Sequence, residues 1–234
     1  MGNLYIVATP IGNLQDLSLR AMEVLKRVEV IVCEDTRRCG LLLKHIGRIS
    51  PPTLLSYYEE NELNRIPQII NALKNGLSVA LVSDAGTPTI SDPGFKLVRQ
   101  CIELGIKVES IPGPSASISA LVSSGLPTDK FLFVGYLPKK QGNRTKLLQN
   151  ISSVVQTIKL TIIIFEAPHR LVRTLEALKN VFGDMEIVIA RELTKIHEEI
   201  RREKISDSIR HFEKATPKGE FVILFHLPPD SGRS

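Results

Sequence analysis

Short apolar runs of strand length alternate along the chain with longer segments whose apolar residues recur at helical spacing. Strands that are separated by helices pair in parallel, so this alternation predicts an α/β fold with a mostly parallel sheet and helices on both of its faces. Ligands bind at the carboxyl ends of the strands in such sheets. We therefore expect one crevice to be lined by the turns that follow Ala8, Cys33, Val82 and Ile111.

The chain is expected to form two domains. Residues 125–128, which include Gly and Pro, have the composition of a linker. They separate a first α/β domain, residues 1–125, from a second α/β domain, residues 126–227, in which shorter connections favour a mixed sheet. The remaining residues, 228–234, are expected to form a flexible tail.

Several classes of protein are excluded by signals that the sequence lacks. No apolar run approaches the roughly 20 residues that a membrane helix needs, and no basic region precedes the first apolar run, so neither a membrane span nor a signal peptide is expected. Cys33, Cys39, Cys101 and the scattered histidines lack metal-ligand spacing, so no metal site is expected. The absence of a Gly-x-Gly-x-x-Gly turn and of a phosphate-binding loop argues against common dehydrogenases, kinases and the commonest class of methyltransferases.

The formal net charge of the chain is +5, and the surplus of Lys and Arg is concentrated between Lys139 and Gly219. A surplus of this kind is typical of a well-solvated surface. It is also what a phosphate-rich partner requires, because phosphates are held electrostatically. Charge alone leaves both interpretations open.

Two acidic turns follow the buried strand that is predicted for residues 77–82. Their sequences are SDAGTP at residues 83–88 and ISDPG at residues 90–94. Gly and Pro predict a sharply turned backbone, and the small side chains let a ligand approach closely. Asp84 and Asp92 supply carboxylates for ribose hydroxyls or an amino group. The structural alternative is a turn followed by a helix cap at Asp92.

A set of short motifs, most of them directly after predicted strands, gives the chain a distinctive joint pattern. The motifs are TPIGNL at 9–14, EDTR at 34–37, SDAGTP at 83–88, ISDPG at 90–94, PGP at 112–114, GYLP at 135–138, EAPHR at 166–170, RELTK at 191–195 and KGEF at 218–221. Together they resemble the ribosomal RNA branch of the tetrapyrrole methylase superfamily, over nearly the whole chain. Each motif alone is weak, but the combination is highly specific.

The resemblance implies two α/β domains with the methyl donor, S-adenosylmethionine, folded in the cleft between them. It implies S-adenosylmethionine-dependent 2′-O-methylation of the ribose of a cytidine in the decoding region of small-subunit ribosomal RNA. It further implies a cytoplasmic homodimer whose partner is the small ribosomal subunit or its rRNA. Neither a membrane nor DNA is expected as a partner.

The resemblance and the predicted strand ends together assign the donor to loops of both domains. In the first domain the expected donor residues are Pro10, Ser83, Asp84, Ala85, Gly86, Thr87, Pro88, Ser91, Asp92, Pro112 and Gly113. In the second domain they are Phe133, Ala167 and Ala190.

The second domain also holds the candidates for proton transfer. A ribose hydroxyl is a very weak acid, so a carboxylate or an imidazole in reach could accept its proton. Glu166, His169 and Glu192 are the candidates; the alternative is that Glu166, His169 and Arg170 cap and anchor a helix. The basic side chains expected to contact RNA phosphates are Arg37, Arg38, Lys139, Lys140, Arg144, Arg170, Arg173, Arg191 and Lys195.

Two other functions are compatible with parts of the pattern. The first is methyl transfer to a tetrapyrrole or another small molecule on the same fold, and the basic second domain and the turn at residues 191–195 argue against it. The second is a non-catalytic RNA-binding or ribosome-assembly protein, and the intact donor loops argue against it.

Overall fold

The computed structural model describes residues 1–214 and 217–227, and the chain divides into a first unit, Met1–Ser115, and a second unit that begins at Ala116. The expected tail, residues 228–234, lies outside the described residues. Within the described ranges, no helix has both the length and the apolar composition that crossing a membrane requires.

The first unit is built on a parallel sheet of five strands in the order β3-β2-β4-β1-β5. Its elements, in chain order, are β1 (Leu4–Val7), α1 (Leu19–Arg27), β2 (Val30–Cys33), α2 (Thr36–His45), β3 (Thr53–Ser56), α3 (Glu62–Lys74), β4 (Val79–Leu81), α4 (Phe95–Glu103) and β5 (Val108–Ile111). The predicted parallel sheet with intervening helices is confirmed.

Helices cover both faces of this sheet, which is why β1 and β2 are apolar at every position. Val7 packs with α1 and α2 on one face, and Ile6 packs with α3 and α4 on the other. Leu25 and Ile69, one from each layer, are fully buried. Burying an aliphatic side chain of this size stabilises a fold by about 1.5–3 kcal/mol, so the two layers hold the strand ends in fixed positions.

The second unit contains a mixed sheet of five strands in the order β6-β7-β10-β8-β9. Its elements are α5 (Ala116–Ser124), β6 (Phe131–Tyr136), α6 (Gln141–Thr157), β7 (Thr161–Glu166), α7 (Leu171–Phe182), β8 (Glu186–Arg191), β9 (Glu199–Lys204), α8 (Ile205–Lys214) and β10 (Phe221–His226). β6 and β7 pair in parallel and the other pairs are antiparallel, so the expected mixed sheet is confirmed. α6 and β9 were not predicted.

The division between the units falls before α5 rather than after Gly125, where the sequence placed it. α6, α7 and α8 cover one face of the second sheet, and α5 packs against β7, β8 and β10. The Arg202 guanidinium Nε also donates to the carbonyl of Ser124 at 2.9 Å. The linker-like composition of residues 125–128 therefore marks a turn inside the second unit.

Candidate functional site

The turns after β1, β4 and β5 are tied to one another in the first unit. The Thr9 N–H donates to the Gly86 carbonyl at 2.8 Å, and the Gly86 N–H donates to the Thr9 carbonyl at 3.0 Å. The Thr9 hydroxyl donates to the Ser83 carbonyl at 3.0 Å, and the Thr87 hydroxyl donates to the Pro114 carbonyl at 3.1 Å. Three turns that were expected to share one crevice therefore lie together.

The turn after β2 joins the same edge of the sheet through acidic side chains. The Asp84 N–H donates to the Glu34 carboxylate at 3.3 Å, and the Asp35 N–H donates to the Asp84 carboxylate at 3.2 Å. Burial and the nearby charges of Glu34 and Asp84 raise the pKa of Asp92 to about 7, although a hydrogen bond from Ser83 opposes the rise. Burial also raises the pKa of Glu34.

The raised pKa values of Glu34 and Asp92 indicate a negative electrostatic potential at this edge of the sheet. Several carboxylates that lie close together and are partly shielded from water resist ionisation. The same field favours a cation, because a positive group relieves the repulsion between them. The edge formed by Glu34, Asp84 and Asp92 is therefore suited to a positively charged ligand.

The loop that carries Asp92 is held in an unusual backbone conformation. Thr89 and Ser91 have φ values of 73° and 63°, in the left-handed region that non-glycine residues rarely adopt. The Gly94 N–H that closes the loop donates to the buried carboxylate of Glu62 at 3.0 Å, and Lys96 pairs with that carboxylate at 2.9 Å. Strain of this kind persists only where the surroundings fix it, so the loop is preorganised.

A cavity of about 290 Å³ opens beside these turns in the first unit. Its walls are mostly apolar, and its charged side chains are Arg38 and Asp84, which pair at 3.2 Å. A hydrogen bond with the Cys39 thiol, together with burial, raises the pKa of Cys33. The lining residues are Thr9, Pro10, Leu14, Cys33, Arg38, Cys39, Leu41, Leu42, Val82, Ser83 and Asp84.

In the second unit, four of the sequence motifs meet at one edge of the sheet. β6, β7 and β8 run in the same direction, and β10 runs against them, so the ends of the first three lie beside the start of the fourth. The Arg170 guanidinium donates to the Leu137 carbonyl, and the Arg191 guanidinium donates to the Lys218 carbonyl at 2.8 Å. The motif after β7 is therefore linked to the motif after β6, and the motif at the end of β8 is linked to the motif before β10.

Glu166, a candidate for the general base, is anchored inside the second unit. It is 1% exposed. One carboxylate oxygen accepts from the Ala167 N–H at 2.8 Å and pairs with the Arg170 guanidinium at 3.2 Å, and the other accepts from the Thr174 hydroxyl at 2.5 Å. This arrangement favours the anchoring alternative for Glu166, because no oxygen of the carboxylate is left open to a substrate hydroxyl.

Glu192 is also committed to its neighbours. Its carboxylate accepts from the Lys195 ammonium at 2.8 Å and from the Glu220 N–H at 3.0 Å. Burial would raise the pKa of Glu192, but these bonds outweigh it and lower the pKa. A Cβ at Gly219 would stand 2.5 Å from the Glu192 Cγ, so this glycine lets the carboxylate pack against the turn. A lowered pKa makes Glu192 a poor proton acceptor.

His169 differs from the two carboxylates because its side chain is exposed. It lies in the turn of 3₁₀ helix at Pro168–Arg170 that follows β7 and precedes α7. Of the three residues predicted for proton transfer, it is the one whose side chain the structure leaves open to a ligand.

The basic side chains predicted for RNA binding fall into two groups. Arg170, Arg191 and Lys195 are partly buried and hold carboxylates or carbonyls of their own unit, and Arg144 is 9% exposed, so its placement as a surface contact is not supported. The other five are exposed: Arg37, Arg38, Lys139, Lys140 and Arg173.

The predicted donor residues belong to both units. Those of the first unit all lie in the turns after β1, β4 and β5. Phe133, Ala167 and Ala190 belong to the second unit, where Ala190 is buried within β8. Glu34 and the cavity-lining Leu14 and Cys39 were not among the residues predicted for the site. Glu34 directly follows β2, in a turn that was expected to line the crevice, and the pairing of β2 with β4 brings its carboxylate beside Asp84.

The first unit, with its parallel sheet and acidic turns, and the second unit, with its mixed sheet, place the chain in the class of α/β proteins that contain two such units. A model of the family described as Tetrapyrrole (Corrin/Porphyrin) Methylases matches residues 3–208, and the chain belongs to this family.

Similar proteins place the chain within that family. It is 48% identical over 224 residues to the ribosomal RNA small subunit methyltransferase I of Thermotoga maritima, covering 96% of this chain and 98% of that protein. It is 47% identical over 225 residues to the protein of the same name from Synechocystis, covering 96% of this chain and 78% of that protein. A crystal structure of uroporphyrin-III-C-methyltransferase from Thermus thermophilus shares the fold, with a TM-score of 0.65 and 19% identity over 96% of this chain and 94% of the other.

Proposed function

We propose that this chain transfers a methyl group from S-adenosylmethionine to the ribose 2′ hydroxyl of a cytidine in small-subunit ribosomal RNA. The family supports methyl transfer, and the relatives named ribosomal RNA small subunit methyltransferase I support the acceptor. The observation that carries the proposal is the set of interlocked turns at the carboxyl edge of the first sheet, together with Asp92, which is hydrogen-bonded to Ser83 of one of these turns.

The chemistry of these turns fits the donor. S-adenosylmethionine carries a sulfonium cation and ribose hydroxyls, and when bound it supplies an activated methyl group. Glu34 and Asp92 offer a field that favours a cation and oxygens that accept from hydroxyls. Gly113 lets the turn after β5 pack closely against Ala8, because a Cβ at Gly113 would stand 3.1 Å from the Ala8 Cβ. We assign donor binding in the first unit to the turns that hold Pro10, residues 83–92 and residues 112–113.

The chain contributes orientation and electrostatics rather than covalent help. Methyl transfer from a sulfonium is an in-line displacement, so positioning of the two reactants supplies much of the rate. The strained loop at Thr89 and Ser91 is already in place before a ligand arrives, which reduces the entropy lost on binding. If a side chain accepts the proton of the ribose hydroxyl, we assign that role to His169, because Glu166 and Glu192 are committed elsewhere.

RNA binding is assigned to the exposed basic side chains. Lys139 and Lys140 stand directly before α6, and Arg173 stands on the first turn of α7. Exposed cations of this kind neutralise phosphates and position RNA without reading its sequence. The proposal includes a cytoplasmic homodimer acting on the small ribosomal subunit or its rRNA, as the family resemblance implies.

The test is transfer of tritium from labelled S-adenosylmethionine to small ribosomal subunits from a strain that lacks the modification. The expected result is label in a 2′-O-methylated dinucleotide that resists nuclease. Glu103→Gln, on the exposed side of α4, serves as a matched control for Asp92→Asn, which should weaken donor binding measured by calorimetry. Donor binding without transfer to RNA would redirect the search to small-molecule acceptors. Loss of both would favour a non-catalytic RNA-binding protein.

A further inference from the structure

The cavity beside the donor turns includes three of the predicted donor residues, Pro10, Ser83 and Asp84, but most of its lining lies outside that set. It is lined by the turn after β1, by β2 and α2 and by the start of the turn after β4, and among the described residues none from 85–94 or 112–114 lines it. Its walls are mostly aliphatic or thiol side chains, together with the hydroxyl side chains of Thr9 and Ser83 and one ion pair. A site of this kind suits a flat, mostly apolar group that carries a few polar atoms on one edge.

The ion pair offers a defined hydrogen-bonding pattern. The Arg38 Nη1 lies 3.2 Å from Asp84 Oδ2, while Asp84 Oδ1 accepts from the Asp35 N–H at 3.2 Å. The backbone N–H fixes the orientation of the carboxylate, and the pair places an acceptor beside a donor at the cavity. A heterocycle that carries an amino group next to a ring nitrogen or carbonyl acceptor matches that order.

We propose that this cavity receives the base of the acceptor nucleotide, turned out of the RNA, and reads it as cytosine through Asp84 and Arg38. Asp84 accepts from the exocyclic N4 amino group, and Arg38 donates to N3 or O2. Enzymes that modify nucleotides commonly read an extruded base by its Watson–Crick edge in this way. The inference rests on the proposed function, and it moves Asp84 from the donor to the acceptor.

The pattern predicts discrimination between the two pyrimidines. Uracil presents a carbonyl where cytosine presents its amino group, so Asp84 would face an acceptor with no proton between them. Adenine shares the order of donor and acceptor but adds a second ring, and it is therefore included in the test. Leu14, Leu41 and Leu42 supply the apolar contact for the ring and carry no base preference.

The first experiment asks whether the cavity serves acceptor or donor. Leu41 lines the cavity yet is 70% exposed, so Leu41→Trp adds bulk without disturbing the core. Leu63→Trp, at a residue that is 67% exposed on α3, is the matched control. We expect Leu41→Trp to reduce methyl transfer to small subunits by about 100-fold, since a misplaced acceptor costs rate on that order, while donor affinity measured by calorimetry is retained.

Loss of donor binding in Leu41→Trp, or transfer at the wild-type rate, would overturn the assignment. Failure of the proposed function is recognised separately, because the wild-type chain would then label no RNA at all. In that case the cavity has no acceptor base to receive and the inference fails with it.

The second experiment tests base reading. Small subunits are prepared with cytidine, uridine or adenosine at the labelled position. The wild-type chain should prefer cytidine over uridine by about 10- to 100-fold, the discrimination typical of a matched polar pair. Asp84→Asn should bring the two rates close together, because an amide can turn to donate to uracil or to accept from cytosine. Glu103→Gln should leave the preference unchanged.

An Asp84→Asn chain that keeps the wild-type preference for cytidine would overturn the base-reading role. So would a variant that loses donor affinity and transfer in equal proportion, since Asp84 would then belong to the donor site. Equal wild-type rates on all three bases would show that the cavity selects no base.

Discussion

Replacing Glu166 by Gln separates an anchoring role from a catalytic one. Gln keeps the shape of the side chain but removes the negative charge that pairs with Arg170. Its amide NH₂ would also face the Ala167 N–H or the Thr174 hydroxyl, both of which donate hydrogen bonds. The Arg170 side chain is 13% exposed, so its charge stays largely buried without an anionic partner, although it still donates to the Leu137 carbonyl. Breaking a buried ion pair costs about 3–5 kcal/mol, and the remaining exposure of Arg170 places the expected loss near 3 kcal/mol.

Urea unfolding measures this loss. With a dependence on urea of about 2 kcal/mol/M, a loss of about 3 kcal/mol lowers the midpoint by about 1.5 M. Because the chain divides into two units, hydrogen exchange of α7 peptides is followed along the urea series to report on the second unit by itself. Glu176→Gln, at an exposed position on the same helix, is the control and should leave the midpoint in place.

The opposite outcome would refute the anchoring argument. If Glu166→Gln retains the wild-type midpoint but abolishes methyl transfer with donor binding intact, the carboxylate acts in the chemistry. The assignment of the proton-accepting role to His169 would then be withdrawn.

Three further predictions concern the first unit and the RNA surface. Because the pKa of Asp92 is raised to about 7, the carboxylate ionises as pH rises through neutrality, and donor affinity should increase up to about tenfold between about pH 6 and pH 8; calorimetry should show a flat profile in Asp92→Asn, and a flat wild-type profile would contradict the assignment. Gly94→Ala should lower the free energy of unfolding by about 1–3 kcal/mol more than Gly105→Ala in urea, since a Cβ at Gly94 meets the Leu81 Cδ2 at 2.6 Å whereas Gly105 faces open space. In filter-binding measurements, Lys140→Ala should reduce the slope of log K for rRNA binding against log salt concentration by about one unit. An unchanged slope would show that this lysine does not contact an RNA phosphate.

The alternation of apolar runs and helical spacing predicted the first unit well because its central strands, β1, β2 and β4, are buried along their whole length. The second unit contains two elements that this signal cannot reveal. α6 includes Gly142 and a run of Ser and Val, which are weak helix formers, and it is held by Leu148, Ile151 and Val155 against the sheet. β9 consists mostly of charged residues, as is common for a strand at the edge of a sheet, and it forms by pairing with β8.

The sequence predicted which turns meet at the candidate site, but not which side chains contact one another there. A turn after a strand identifies Asp84 and Asp92 as edge residues from the sequence. Their proximity to Glu34 depends on β2 and β4 being adjacent although α2, β3 and α3 lie between them in the chain. Glu166 and Glu192 are occupied by hydrogen bonds from residues in other turns or helices. A local sequence pattern cannot predict such contacts.

The place of β10 in the second sheet has a consequence for biosynthesis. This strand is the last in the described chain, yet it lies in the middle of the sheet, between β7 and β8, and its first five residues are buried. Until residue 226 has left the ribosomal tunnel, β7 and β8 each keep an unpaired edge next to an apolar surface. Domains fold as units during synthesis, so the first unit can fold before the central strand of the second unit has been exposed. A nascent chain that stalls shortly before Phe221 would therefore carry one finished sheet and one open, aggregation-prone pair of edges.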